Sequence, residues 1–291
     1  MTKQRTRSAA ALLCTLALGV AGSVGVTAAS AAPKGEFAAF ADCPLANAEL
    51  SGCIVAKATS GEIKIGNQAV PITNPITLQG GFIEHEGGLS FKFLNAADGK
   101  TLSKSPQNVP GGLLGLNKCS EAKTWAERAR CEELVREGLY AVKATVELAG
   151  PVGLSEAALL FEFGTALSLP VKVKLENPLL GNACYIGSNA APITVNLTSG
   201  TTSPPLPNKP IRGEAGGLST RAEGGILVLG PNRLVENAFA VPGASGCGCP
   251  PSSALDKQID ARLGIPAAAG RNTAILNGTQ EQTSAEEARR H

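Results

Sequence analysis

Residues 167–176 read L-S-L-P-V-K-V-K-L-E, and this stretch decides the fold class. Leu167, Leu169, Val171, Val173 and Leu175 occupy every second position, with Ser168, Lys172, Lys174 and Glu176 between them. A period of two places all five apolar side chains on one side of an extended chain, the pattern of a strand buried on one face and wet on the other. Pro170 cannot donate to a ladder, so this strand is expected at a sheet edge or at a bulge. The alternation recurs in Tyr140, Val142, Ala144, Val146 and Leu148, and again in Leu89, Phe91 and Phe93. Shorter runs predict strands at 53–59, 62–66, 76–79, 158–163, 192–198 and 225–229, separated by Gly, Asn and Pro.

Two segments break the alternation. Thr124 and Glu127 have capping-box spacing, and Cys131, Leu134, Val135 and Gly138 then share one helical face, which predicts a helix over 124–138. A second helix is expected from Ser253, with Leu255, Ile259 and Leu263 as its apolar stripe and Gly264 and Pro266 as its stop. The "SPPLPNKP" segment (203–210) reads as a stiff surface loop. The fold class is therefore mainly β: an antiparallel β-sandwich with two short helical insertions, stapled by disulfides. One β-rich domain is expected over 32–278, with two packed half-sandwiches as the competing arrangement. A polar, flexible tail is expected over 279–291.

The N-terminus carries Lys3, Arg5 and Arg7, then an apolar run from Ala9 to Val20, then the small-residue sequence Ala29-Ser30-Ala31. This is the pattern of a secretory signal peptide over 1–31, with an apolar run too short for a stable membrane span. Export makes cysteines disulfide candidates before metal ligands. Without Cys14, seven remain, so one is left over. Proximity pairs Cys43 with Cys53 and Cys119 with Cys131; each short loop contributes about 3 kcal/mol on the loop-entropy view. Cys184 then takes Cys247 or Cys249.

What is scarce narrows the chemistry. Lys+Arg 26 against Asp+Glu 24 leaves no basic stripe for nucleic acid. The only aspartates are Asp42, Asp98, Asp256 and Asp260, and the only histidines are His85 and His291. Calcium loops and zinc sites need denser oxygen, His or Cys clusters, so neither metal nor cofactor is expected. A Ser-His-Asp or Cys-His arrangement would depend on His85. That residue sits in "GGFIEHEGG" (80–88), where Glu84 and Glu86 point opposite to His85 in an extended chain, and a solvated hairpin tip is the reading adopted. Asn196-Leu197-Thr198 and Asn277-Gly278-Thr279 match the glycosylation pattern, but Asn-Gly equally marks a turn.

The strings "VPGGLLGL" (109–116), "NACYIGSNAAPITVNLTSGTTSPPLPNKPI" (182–211), "FAVPGASGCG" (239–248) and "AAGRNTAILNGTQEQ" (268–282) resemble a family of uncharacterised secreted proteins of high-GC Gram-positive (actinobacterial) bacteria. The resemblance spans most of the mature chain and brings with it no activity, cofactor or catalytic residue. It implies that the segments around Cys184 and Cys247 belong to one module. "ASGCG" is the shared part, which implies a Cys184–Cys247 pair and leaves Cys249 as a free or intermolecular thiol.

Three functions compete. The first is a non-catalytic secreted or cell-envelope protein that binds an envelope component or another protein, extracellularly or in the wall. The second is a secreted hydrolase using carboxylates, for which Glu84, Glu86, Glu147, Glu162 and Glu176 are the candidates. The third is a carrier of a hydrophobic ligand, with an apolar cavity expected at Leu167, Val171 and Phe161.

Overall fold

The computed structural model describes residues 32–84, 91–113, 119, 122–248 and 254–291. The expected signal peptide, His85, Glu86 and Cys249 lie outside these residues. Strand β8 (Leu167–Glu176) buries Leu167, Leu169, Val171, Val173 and Leu175 and leaves the residues between them partly wet. It pairs along one side with β10 (Ile193–Leu197) and β9 (Tyr185–Ile186) and along the other with β6 (Lys143–Leu148) and β7 (Gly153–Leu154).

Pro170 therefore lies inside the sheet and not at an edge. The Pro170 carbonyl accepts from Ala149 N at 2.9 Å. Its nitrogen faces the same side, into the gap between the end of β6 and the start of β7. The missing N–H falls where no ladder acceptor waits.

A second layer is built from β1 (Gly52–Ile65), β3 (Ile76–Glu84), β4 (Phe91–Asn95), β11 (Gly217–Arg221), β12 (Ile226–Glu236) and β14 (Thr273–Ser284). Its order is β11-β12-β14-β1-β3-β4, and the Phe91–Leu154 pair carries the sheet on from β4 to β7. Short strands complete it: β2 (Gln68–Pro71) on β1, β5 (Gln107–Asn108) on β6, and β13 (Ala244–Ser245) on β9. Every ladder among the described residues is antiparallel. The alternating face of β8 packs with Leu78 of β3 and Ala274 and Leu276 of β14 into the main core. The architecture is an antiparallel β-sandwich.

The expected strands 53–59 and 62–66 form one strand, β1, interrupted by a register shift between Ala58 and Ser60. β12 shifts register between Leu229 and Asn232, beside the same part of β14. Both irregularities flank Gly278, where an added Cβ would lie 1.8 Å from the Lys57 carbonyl oxygen. Asn277-Gly278 is thus no turn: it is the middle of a central strand, and glycine lets the neighbouring backbone close in.

The helices number more than the two expected. α1 (Trp125–Arg136) begins with the Thr124–Glu127 capping box and buries none of its residues. α3 (Ala254–Leu263) follows the predicted stripe. α2 (Glu156–Leu160) replaces the strand expected over 158–163. There the Ser155 hydroxyl accepts from Ala158 N, Ala158 and Leu159 are buried, and Phe161 and Phe163 stay exposed. The expected flexible tail is also overturned. Residues 279–284 belong to β14, and α4 (Ala285–Arg290), capped by Ser284, packs Ala285 and Ala288 against Phe37, Phe40 and Val55. Lys34 N donates to the His291 carbonyl, and the Phe37 ring stacks on His291 at 4.3 Å. The N- and C-terminal segments together cover the outer face of β1.

Candidate functional site

The six paired cysteines act as staples. Cys43–Cys53 sits in the core under the terminal segments, Cys119–Cys131 ties the approach segment to α1, and Cys184–Cys247 lies in the main core. The Cys184–Cys247 bridge closes 63 residues, and α3 leans on its second half. The Asp256 carboxylate accepts from Cys247 N at 2.8 Å, and Asp260 accepts from Ala244 N at 2.7 Å. Two of the four aspartates thus bolt α3 to the strand that carries the bridge. At its far end, the Leu263 carbonyl accepts from Asn67 N at 2.7 Å.

The strand carboxylates do not converge. Glu147 pairs with Lys104 and Lys172, Glu162 with Arg212 at 2.6 Å, and Glu176 with Lys174 while accepting from Thr145 Oγ1. Glu84 lines an open cleft of about 1080 Å³ beside the terminal segments, where Gln282, Glu287, Arg290 and His291 mix with Phe37, Phe82 and Leu227. The carboxylate that stands out is Glu156, which sequence reasoning missed because it is the first residue of a five-residue helix. Burial, and then the charge of Glu84, push its carboxyl up to about 7. It accepts from Gln282 Nε2 beside Leu159, Leu227 and Leu229, in a space of only about 20 Å³. That space has room for a water and none for a substrate. Glu236 is also raised by burial, against the pull of the Ala238 and Asn237 N–H groups.

The roomier apolar site is roofed by α3. Its stripe of Leu255, Ile259 and Leu263 only partly reaches the core, as none of its residues is fully buried. Beneath lies a cavity of about 220 Å³ floored by Val142, Leu175 and Leu180 and closed at the side by Val109 and Leu113. Apolar cavities of about 150 Å³ already admit a benzene-sized guest. A second, smaller void of about 60 Å³ shares Val109, Leu175 and Leu263 with it and lies between Ile63 and Val70 of one layer and Val146 and Val173 of the other.

This is not where the sequence placed a cavity. Leu167 lines a separate void of about 60 Å³ near Leu78 and Leu234, Val171 is core, and Phe161 is 72% exposed. The crevice was missed because its walls come from segments far apart in the chain.

No family model, curated protein or solved structure matches the chain. Among the described residues no group of three or more His, Cys, Asp or Glu side chains could hold a metal ion, and no helix is long and apolar enough to cross a membrane.

Proposed function

We propose that the protein is an exported, non-catalytic binding protein of the extracellular space or cell wall, and that its ligand is apolar. The observation that carries the reading is the mainly apolar crevice under α3, with a second apolar void beside it between the two layers. Such a lining with a few polar groups at one end is the common make-up of small-molecule sites. Three disulfides and the leader-like N-terminus fit an oxidising compartment. The resemblance to secreted actinobacterial proteins supports the same location. The carboxylate alternative has less support, since Glu147, Glu162 and Glu176 are held in separate ion pairs and Glu156 lines a space of only about 20 Å³.

The test is a titration of the mature chain, beginning at Ala32, with the neutral fluorescent probe N-phenyl-1-naphthylamine. Saturable binding at one site, lost in Ile259→Trp with the melting temperature retained, is the expected result. A chain that binds no probe contradicts the apolar-ligand reading. Cytoplasmic protein with an intact Met1 contradicts export.

A further inference from the structure

One edge of the sheet is left open. The strand path ends on one side in β5, which is two residues long and directly follows Pro106, and on the other in β11. β11 has five residues and pairs, among the described residues, with β12 alone. It carries neither proline nor lysine, the usual guards of a free edge. The register sets Leu218 beside Leu229 and Thr220 beside Leu227, so these four share one face. Leu218 and Leu227 border one small space with Leu160 of α2, and Leu218 is 60% exposed. Phe161 and Phe163 follow Leu160 and are exposed as well. The Glu162 carboxylate between them accepts from Arg212 and from Ala215 N, which sets both rings beside the entry to β11.

We propose that a second copy of this chain covers this edge, its β11 antiparallel to the first about a two-fold axis at Ser219. A strand added to a free edge gains main-chain hydrogen bonds, and its alternate side chains decide which strand fits. Here the strand fits itself. About Ser219, Leu218 of each copy falls opposite Thr220 of the other, so a row across the junction reads Leu227, Thr220, Leu218, Leu229. Arg221, the one charge in the strand, falls opposite Gly217, and no like charges meet across the pair. Leu160, Phe161, Phe163, Leu218 and Leu227 leave on the order of 400–500 Å² of apolar surface bare in each copy. A standard interface buries about 800 Å² per partner, so this patch and the backbone edge together approach what a stable dimer needs.

Sedimentation of the chain from Ala32 tests it. A reversible monomer–dimer equilibrium at micromolar concentration is expected, weakened about tenfold or more in Leu218→Lys with the melting temperature retained. In a Cys249→Ser background, Ser219→Cys should cross-link two copies on mild oxidation far faster than Leu206→Cys, a control position that is 87% exposed. A chain that stays monomeric at these concentrations would overturn the proposal. So would a dimer unchanged by Leu218→Lys and lost in Trp125→Ser on α1, or cross-linking no faster at Ser219→Cys than at Leu206→Cys. A monomer that instead takes up a synthetic peptide of alternating threonine and leucine would overturn the second copy as occupant in favour of a foreign strand.

Discussion

Glu156 shows how one side chain can set a pH dependence for the whole fold. Its carboxyl is raised from an ordinary value of 4.5 to about 7. Between those values the folded chain keeps a proton that the unfolded chain has released, so stability falls as pH rises through this window. Below about 4.5 both states are protonated and the full stability is present. Glu156→Gln keeps an acceptor for Gln282 and carries no charge. It should flatten the slope and stabilise the protein by about 1–2 kcal/mol above pH 7, discounted because the side chain is partly exposed. Urea titrations at pH 4.5 and 8 measure this, and an unchanged slope would contradict the burial of the charge. Gly278 is the opposite case, a residue whose lack of a side chain is its role. Gly278→Ala should cost about 1–3 kcal/mol, read as a lower melting temperature, because the added carbon meets the Lys57 carbonyl. A neutral substitution would mean that the Lys57 backbone can draw back from β14 at little cost.

At the scale of elements, α3 is held by few contacts for its importance. Asp260→Ala removes the acceptor for Ala244 N and should weaken probe binding several-fold, with a stability loss of about 1–2 kcal/mol. A stability loss with unchanged binding would separate the helix from the crevice. Elements with a single clear period were legible in the sequence: β8 through its five alternating residues, α1 through its capping box, α3 through Leu255, Ile259 and Leu263. β14 was not legible, because this central strand buries Gln280, Gln282 and Thr283 in place of apolar side chains. Thr283 bonds the Gly225 carbonyl and Gln282 bonds Glu156, so its polarity reflects partners that no local pattern contains. Its Asn277-Gly278 pair carries a turn signal that the ladders on both sides override. Pro170 likewise signals an edge, and only the gap between β6 and β7 explains its place inside the sheet.

For the molecule as a whole, the sandwich is closed at one place and open at another. Over the outer face of β1, the Gly35–Phe40 turn of 3₁₀ helix and α4 complete a second core around Cys43–Cys53. Under α3, the inner faces of the layers part and leave space reaching the surface. The Cys184–Cys247 bridge anchors the wall of that opening, and so links the staple to the site. The most direct measurement of the crevice as a binding site is methyl NMR of the chain from Ala32 titrated with N-phenyl-1-naphthylamine. Shifts concentrated at Leu175, Leu255, Ile259 and Leu263, with Leu218 and Leu227 on the far layer unmoved, are expected. Saturation with no shift at the α3 stripe, or shifts centred on the cleft between the termini, would contradict it.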